Sequence, residues 1–385
     1  MKRFILNNTI INSILNNDQN TNENYFQTYL DKEIELDEVT IVDAEIILDK
    51  IFKDFYYYQS FFNSEKRAFI INFLLKSKDL FEKAINYDTF LIMIFIHLVT
   101  IKQYDHVVIE IDKYLDDLYK IDYQVYEPDL KILSYIQYRA AFYHFNHQNE
   151  LAKKQLEYII QGYPERNIHF LATTYFLLSL VYIANGQLDQ AIISCKETEK
   201  LSLETSNYKR YFYSQMNLAR TMSALGGFDE AIKLYRECLD GADNLHLDMK
   251  TVLLEYIATV MMYNQDYQKA IETLNKINRE DISNNSAYIY AFCFLQLNNK
   301  AKCFQWIEIG KTASNTQPSA DRYLILIEKI ARQDEQMIHY LKDFREYEST
   351  TENYGSYQFL NKLLIHYLIE SEQYKEACFY AGLLD

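Results

Sequence analysis

A helix-turn-helix pattern recurs along this chain and restricts the fold more than any other feature of the sequence. The clearest copy, YFLLSLVYIANGQLDQAIISC, runs from Tyr175 to Cys195, and the next, QMNLARTMSALGGFDEAIKLY, from Gln215 to Tyr235. Each carries a small residue (Ser179, Ala219), a larger one three positions on (Tyr182, Met222), and a glycine (Gly186, Gly226). An apolar residue (Leu188, Phe228) and an alanine (Ala191, Ala231) follow. The small residues let two helices of a hairpin approach closely. The glycine ends the first helix, and the large apolar residue fills the gap at the turn. One hairpin cannot bury its apolar face alone, so hairpins must stack.

Other copies are weaker but in step. Ala140, Tyr143 and Ala152 mark an earlier unit, and Leu98, Tyr104 and Val107 a degenerate one before it. Ala258, Met261, Tyr267 and Ala270 mark a later unit, then Ala291, Phe294, Cys303 and Trp306. Arg322 to Phe344 holds a faint pair of helices, and Ile365, Leu368, Tyr374 and Ala377 the last copy. The small residue opening the second helix falls at Ala152, Ala191, Ala231, Ala270 and Cys303, in steps of 39, 40, 39 and 33. The expected architecture is all-α: a right-handed superhelical solenoid of helix hairpins, with residues 86–385 as the repeat domain. Residues 1–85 are read as an N-terminal helical region of uncertain role. In it, 41–62 and 65–85 form two longer helices, and Asn16 to Asn22 a polar loop.

Composition agrees. Only 8 Gly and 3 Pro occur in 385 residues, too little turn chemistry for a strand-rich fold. Phe90 to Val99 is strongly apolar but too short to span a bilayer, and reads as a buried repeat helix. The N-terminus MKRFILNNTIINSIL lacks a small-residue cleavage site, so the expected location is the cytoplasm, with no membrane partner. A formal net charge of −15 repels a phosphate backbone, which makes direct nucleic-acid binding unlikely. Cys195, Cys238, Cys293, Cys303 and Cys378 show no CxxC spacing and read as small core residues in a reducing compartment.

The spacing resembles the tetratricopeptide repeat, over roughly residues 88 to 384. Its longer period of about 40 residues is similar to that of the peptide-sensing regulators of Gram-positive bacteria, the Rap phosphatases, NprR and PlcR. MNLARTMSALGGFDEAIKLY carries that resemblance best. In such a solenoid the first helix of each hairpin lines the concave face. The positions two before and one after its packing small residue then project into the groove. Counted from Ala219 these are Asn217 and Arg220; other units give Tyr138 and Ala141, Tyr256 and Thr259, Ile289 and Phe292, and Leu363 and His366. One turn further lie His144 and Tyr263. An Asn amide both donates to and accepts from a peptide backbone. The resemblance implies that Asn217 contacts a signalling peptide; otherwise it is an exposed helix residue. Arg220 is placed either to pair with a peptide carboxylate or to sit solvated.

Catalytic chemistry is not legible. There is no phosphate-binding Gly loop, no GxSxG and no HExxH. His144-x-x-His147 has no companions for a metal set, and neither metal nor cofactor is expected. The leading expectation is a non-enzymatic peptide-binding regulatory protein that controls a partner, either a response regulator or the transcription machinery. Three alternatives stay open: a DNA-binding regulator with a cryptic or lost N-terminal helix-turn-helix, a Rap-like response-regulator phosphatase, and a passive scaffold. Residues 1–85 show no DNA-reading helix and no Rap-like catalytic Gln. Leu368, Tyr374, Phe379 and Leu383 are expected at an open apolar end, through which the C-terminal repeat, Tyr357 to Asp385, pairs with a second copy in a homodimer.

Overall fold

The computed structural model describes residues 41–60, 64–102, 106–119, 129–162, 167–245, 247–313, 318–350 and 354–382. Among these residues all regular structure is helical. The polar loop at Asn16 to Asn22, Tyr104 of the degenerate unit and Leu383 lie outside them. The helices group into two compact units, one reaching Leu178 and including Lys200–Arg210, the other Ser179–Glu199 with Tyr211–Asp385.

The chain begins with α1 (Ile41–Ser60), α2 (Ser64–Lys76) and a single turn, α3 (Lys78–Phe81). Paired helices follow: α4 (Tyr87–Thr100) with α5 (His106–Tyr119), and α6 (Leu130–Phe145) with α7 (Asn149–Gly162). Next come α8 (Ile168–Ala184) with α9 (Leu188–Glu204), α10 (Tyr208–Ala224) with α11 (Phe228–Ala242), and α12 (Lys250–Tyr263) with α13 (Tyr267–Leu274). The last pairs are α14 (Asn284–Gln296) with α15 (Lys300–Lys311), α16 (Pro318–Arg332) with α17 (Met337–Thr350), and α18 (Tyr354–Glu370) with α19 (Tyr374–Ala381).

One turn joins the helices of nearly every pair. His147, Gly186, Gly226, Gln265, Asn298, Gln333 and Glu372 all have positive φ, between 55° and 81°. After each, the next residue's N–H reaches back to the carbonyl five residues earlier. Gln148 donates to Tyr143, Gln187 to Tyr182, Gly227 to Met222, Asp266 to Met261, Asn299 to Phe294, Asp334 to Lys329 and Gln373 to Leu368, at 2.8–3.0 Å. This is the Schellman closure of a helix end, which satisfies carbonyls the helix itself leaves open. The left-handed residue sits five positions before Ala152, Ala191, Ala231, Ala270 and Cys303, so the turns repeat in the same steps as the small residues.

In the N-terminal unit, α4 is buried along the whole of Phe90 to Val99. The Tyr135 hydroxyl donates to Oδ1 of Asp112 at 2.7 Å, and Arg139 Nε lies 3.0 Å from the same oxygen. Burial pushes the Asp112 carboxyl upward, opposed by the Arg139 guanidinium. Gln137 Nε2 ties α6 to α8 by donating to the Phe170 carbonyl at 3.0 Å.

In the C-terminal unit, Ala219, Ala231, Ala258, Ala270 and Ala291 are fully buried, as close helix approach demands. Gly310 marks the tightest contact: a Cβ there would meet Leu324 Cδ1 at 2.6 Å and Ala287 Cβ at 2.9 Å. Four cysteines are buried, but Cys378 is exposed. Leu368 is also not where the sequence puts it. It is fully buried and supplies the carbonyl of the last turn, while Tyr374 and Phe379 are 59% and 64% exposed. No described helix is long and apolar enough to cross a membrane.

Gly226 has φ +81° and open space where a Cβ would go. Gly226→Ala therefore introduces conformational cost without a clash, and lowers stability by about 1 kcal/mol. Gln265→Gly removes the same cost at a turn with φ 63°, for a gain of roughly 0.5 kcal/mol after the added chain entropy. Urea unfolding of both variants checks the pair of signs.

Candidate functional site

Because the small residues of the first helices face their neighbours, the positions flanking them turn the other way. In the C-terminal unit those positions converge. A cavity of about 460 Å³ is lined by α10, α12, α14, α16 and α18, which are first helices of successive hairpins, with Ile183 added from α8 and Phe228 and Tyr235 from α11. Asn217, Arg220, Tyr256 and Tyr263 all line it. Tyr138 and His144 belong to the other unit. Tyr138 is buried there, and His144 Nδ1 pairs with Asn149 Oδ1 at 2.6 Å. His147 is the left-handed turn residue after α6, which accounts for the His-x-x-His spacing. Among the described residues no three His, Cys, Asp or Glu side chains gather into a metal set.

Asn217 is nearly buried, and its Nδ2 donates to Ser179 Oγ at 3.0 Å. Half of the amide therefore braces α10 against α8. Its Oδ1 and second N–H remain for a ligand, a narrower capacity than a fully exposed Asn has. Arg220 is exposed at the edge of the cavity. Burial pushes the hydroxyls of Tyr235 and Tyr263 well above the usual phenol range, helped by Tyr256 at the first and by the Glu348 carboxylate at the second, and the nearby Arg220 charge partly offsets this. Both phenols stay protonated at neutral pH and act as donors.

The floor is aromatic. The Phe359 ring lies 4.7 Å from Tyr263, 5.5 Å from Phe292 and 6.2 Å from Tyr323, centroid to centroid. Tyr288 stacks on Tyr323 at 4.7 Å, and Tyr235 lies 5.4 Å from Tyr256. One carboxylate lines the cavity, that of Glu255, only 4% exposed. It accepts from Ser283 Oγ at 2.6 Å, from Asn285 Nδ2 at 2.9 Å and from Ser286 Oγ. Ser283 in turn caps α14 by accepting from the Ser286 N–H at 3.0 Å. Glu255 thus fixes where α14 begins, and with it Asn285 and Tyr288.

The sequence count holds in α10 and α12 and fails in α14 and α18. There it gives Ile289 with Phe292, and Leu363 with His366. The lining residues are Asn285 with Tyr288, and Phe359 with Lys362, each four positions earlier. The helix face is right and the height is wrong by one turn, because the cavity crosses these helices nearer their N-terminal ends. Ile289 is instead fully buried core, and His366 is exposed beside Glu370. Glu255, Phe359 and Lys362 carried no signal in the sequence pattern.

Similarity to known proteins lies in the fold. Residues 178–305 match the family model of the Suppressor of spindle checkpoint defect 1 C-terminal domain. No curated protein matches the chain. Solved structures do. A Rap protein complexed with competence and sporulation factor has a TM-score of 0.70 at 12% identity, over 88% of this chain and 97% of that one. NprR in complex with its cognate peptide NprX has a TM-score of 0.61 at 16% identity, over 89% and 98%. The phAimR–ligand structure has 0.57 at 11%, over 95% and 98%. The chain is thus an all-α stack of tetratricopeptide-like hairpins, and it resembles the quorum-sensing regulators of that build.

Removing the Glu255 carboxylate leaves three donors without their acceptor, Ser286 buried and Ser283 and Asn285 half-buried. Glu255→Ala is expected to lower stability by about 1–3 kcal/mol, and Glu255→Gln, which keeps one acceptor oxygen, by less. Chemical denaturation of the two variants checks the order.

Proposed function

We propose that this protein is a peptide-binding regulator whose C-terminal groove takes up a short signalling peptide and thereby controls a partner protein. The observation that carries this is the convergence of Asn217, Arg220, Tyr256 and Tyr263 on one cavity. An extended chain needs backbone acceptors and donors with apolar pockets beside them. Asn217 Oδ1, the buried phenols and the Phe359 floor supply both kinds of surface. The similar structure of NprR in complex with its cognate peptide NprX supports the same reading.

Control follows from differential affinity. A peptide that touches several first helices at once favours the arrangement in which those contacts coexist, and it shifts the population toward that arrangement. The partner, a response regulator or a component of the transcription machinery, reads the shift. The site of action in this reading is the cytoplasm, and the reading needs no catalytic step.

The C-terminal repeat also enters the proposal. Ile369, Tyr374 and Phe379 expose apolar surface near one another in sequence on α18 and α19, and pairing of two copies there covers it. Light scattering checks this: a dimer for the intact chain and a monomer for Phe379→Glu are expected, and a monomer in both cases removes the dimer.

Peptides encoded by short reading frames beside the gene test the function itself. Isothermal titration is expected to find one that binds in the micromolar range or tighter, and Asn217→Ala to weaken it about tenfold. Absence of binding by every such peptide, with no cellular effect of Asn217→Ala, removes the proposal.

A further inference from the structure

The electrostatics of the groove run opposite to those of the chain. The protein carries a formal net charge of −15, yet the charged side chains lining the cavity are Arg220, Lys362 and Glu255. The acid is already occupied: Ser283, Ser286 and Asn285 all donate to its carboxylate, and it is almost fully buried. The two cations are in the opposite condition. Arg220 on α10 and Lys362 on α18 are exposed, and among the described residues neither makes an ion pair.

Some basic side chains of the same unit are ion-paired and others are not. Lys311 pairs with Glu308 and Glu328, Arg332 with Glu328, Lys329 with Asp334, and Lys342 with Glu376. Arg220 and Lys362, from helices far apart in sequence, are the two exposed charges of the lining, and the Glu348 carboxylate acts on Tyr263 from outside it.

Two phenols of the lining suit the same ligand. The phenols of Tyr235 and Tyr263 are held protonated by burial, so they present donors. A guanidinium and an ammonium recognise a carboxylate and repel another cation, and a phenolic hydroxyl can donate to the same carboxylate.

We infer that the groove selects acidic peptides, with Arg220 and Lys362 as the two specificity-determining cations. This rests on the peptide-binding reading above and adds the charge of the ligand. The carboxylate has two possible sources, an Asp or Glu side chain or the free C-terminus of the peptide. The shared chemistry is an anionic oxygen pair that reaches Arg220 or Lys362 while the rest of the peptide lies on the aromatic floor.

The test uses the full chain and a randomised hexapeptide pool, prepared once with free C-terminal acids and once as C-terminal amides. Peptides retained by the protein are sequenced by mass spectrometry and compared with the input. Retained sequences are expected to be enriched in Asp and Glu and depleted in Lys and Arg. If the side chain is the source, enrichment survives amidation. If the terminus is the source, retention falls on amidation by on the order of tenfold. Individual peptides recovered from the pool should bind more weakly as salt rises. The double variant Arg220→Glu, Lys362→Glu lies at exposed positions and is expected to fold, which circular dichroism verifies. It should invert the preference toward cationic peptides. Retention of peptides without acidic enrichment, or a preference the double variant leaves unchanged, overturns this inference and leaves peptide binding standing. No retention of any peptide in either pool overturns both.

Discussion

The left-handed turn between paired helices is the constraint on which the rest of the structure depends. One residue of positive φ, followed by an N–H that bonds five residues back, fixes where each first helix ends and where its partner begins. Once that distance is set, the small residues at Ala219, Ala258 and Ala291 fall at the close contact, and their flanking neighbours fall on the opposite face. A groove follows without any residue having been placed for it alone. The two glycines, Gly186 and Gly226, make the turn at no steric cost. At His147, Gln265, Asn298, Gln333 and Glu372 the same conformation is held by side chains that disfavour it, so packing on either side must outweigh roughly 1 kcal/mol at each.

Rigidity in the walls and polarity in the lining are linked through a few bonds. Asn217 spends one N–H on Ser179, which fixes the amide plane, and keeps its oxygen for the cavity. Glu255 consumes its whole charge in setting the start of α14. Phe359 reaches three other rings and so connects α18 with α12, α14 and α16. These contacts pre-arrange the lining, and an arranged lining is what lets a short ligand bind without ordering the protein first.

Much of this was readable in the sequence. The steps of 39, 40, 39 and 33 between small residues equal the steps between turns, because both belong to one repeating hairpin. Asn217, Arg220, Tyr256 and Tyr263 were reached by counting from the packing alanine. The count lost its height in α14 and α18, where no local signal reports how far along a helix a cavity crosses. Lys362 was invisible for the same reason: it looks like any exposed helix lysine until α10 is seen to face the same space. Leu368 was placed at an open end, but it is fully buried in the core of the C-terminal unit. Cys378 shows the converse, a small residue in a helix that is nonetheless exposed.

The most direct measurement of the central claim is photo-crosslinking from the groove itself. A benzophenone amino acid at position 256, in place of a Tyr that is 40% exposed and lines the cavity, would be irradiated in living cells and the protein analysed by mass spectrometry. Position 208, where Tyr is 55% exposed and lies outside the cavity lining, serves as the control. A peptide-sized adduct at 256 and none at 208 is the result expected of a peptide-filled groove. Equal labelling at both positions, or no adduct at 256 under any growth condition, would contradict the account.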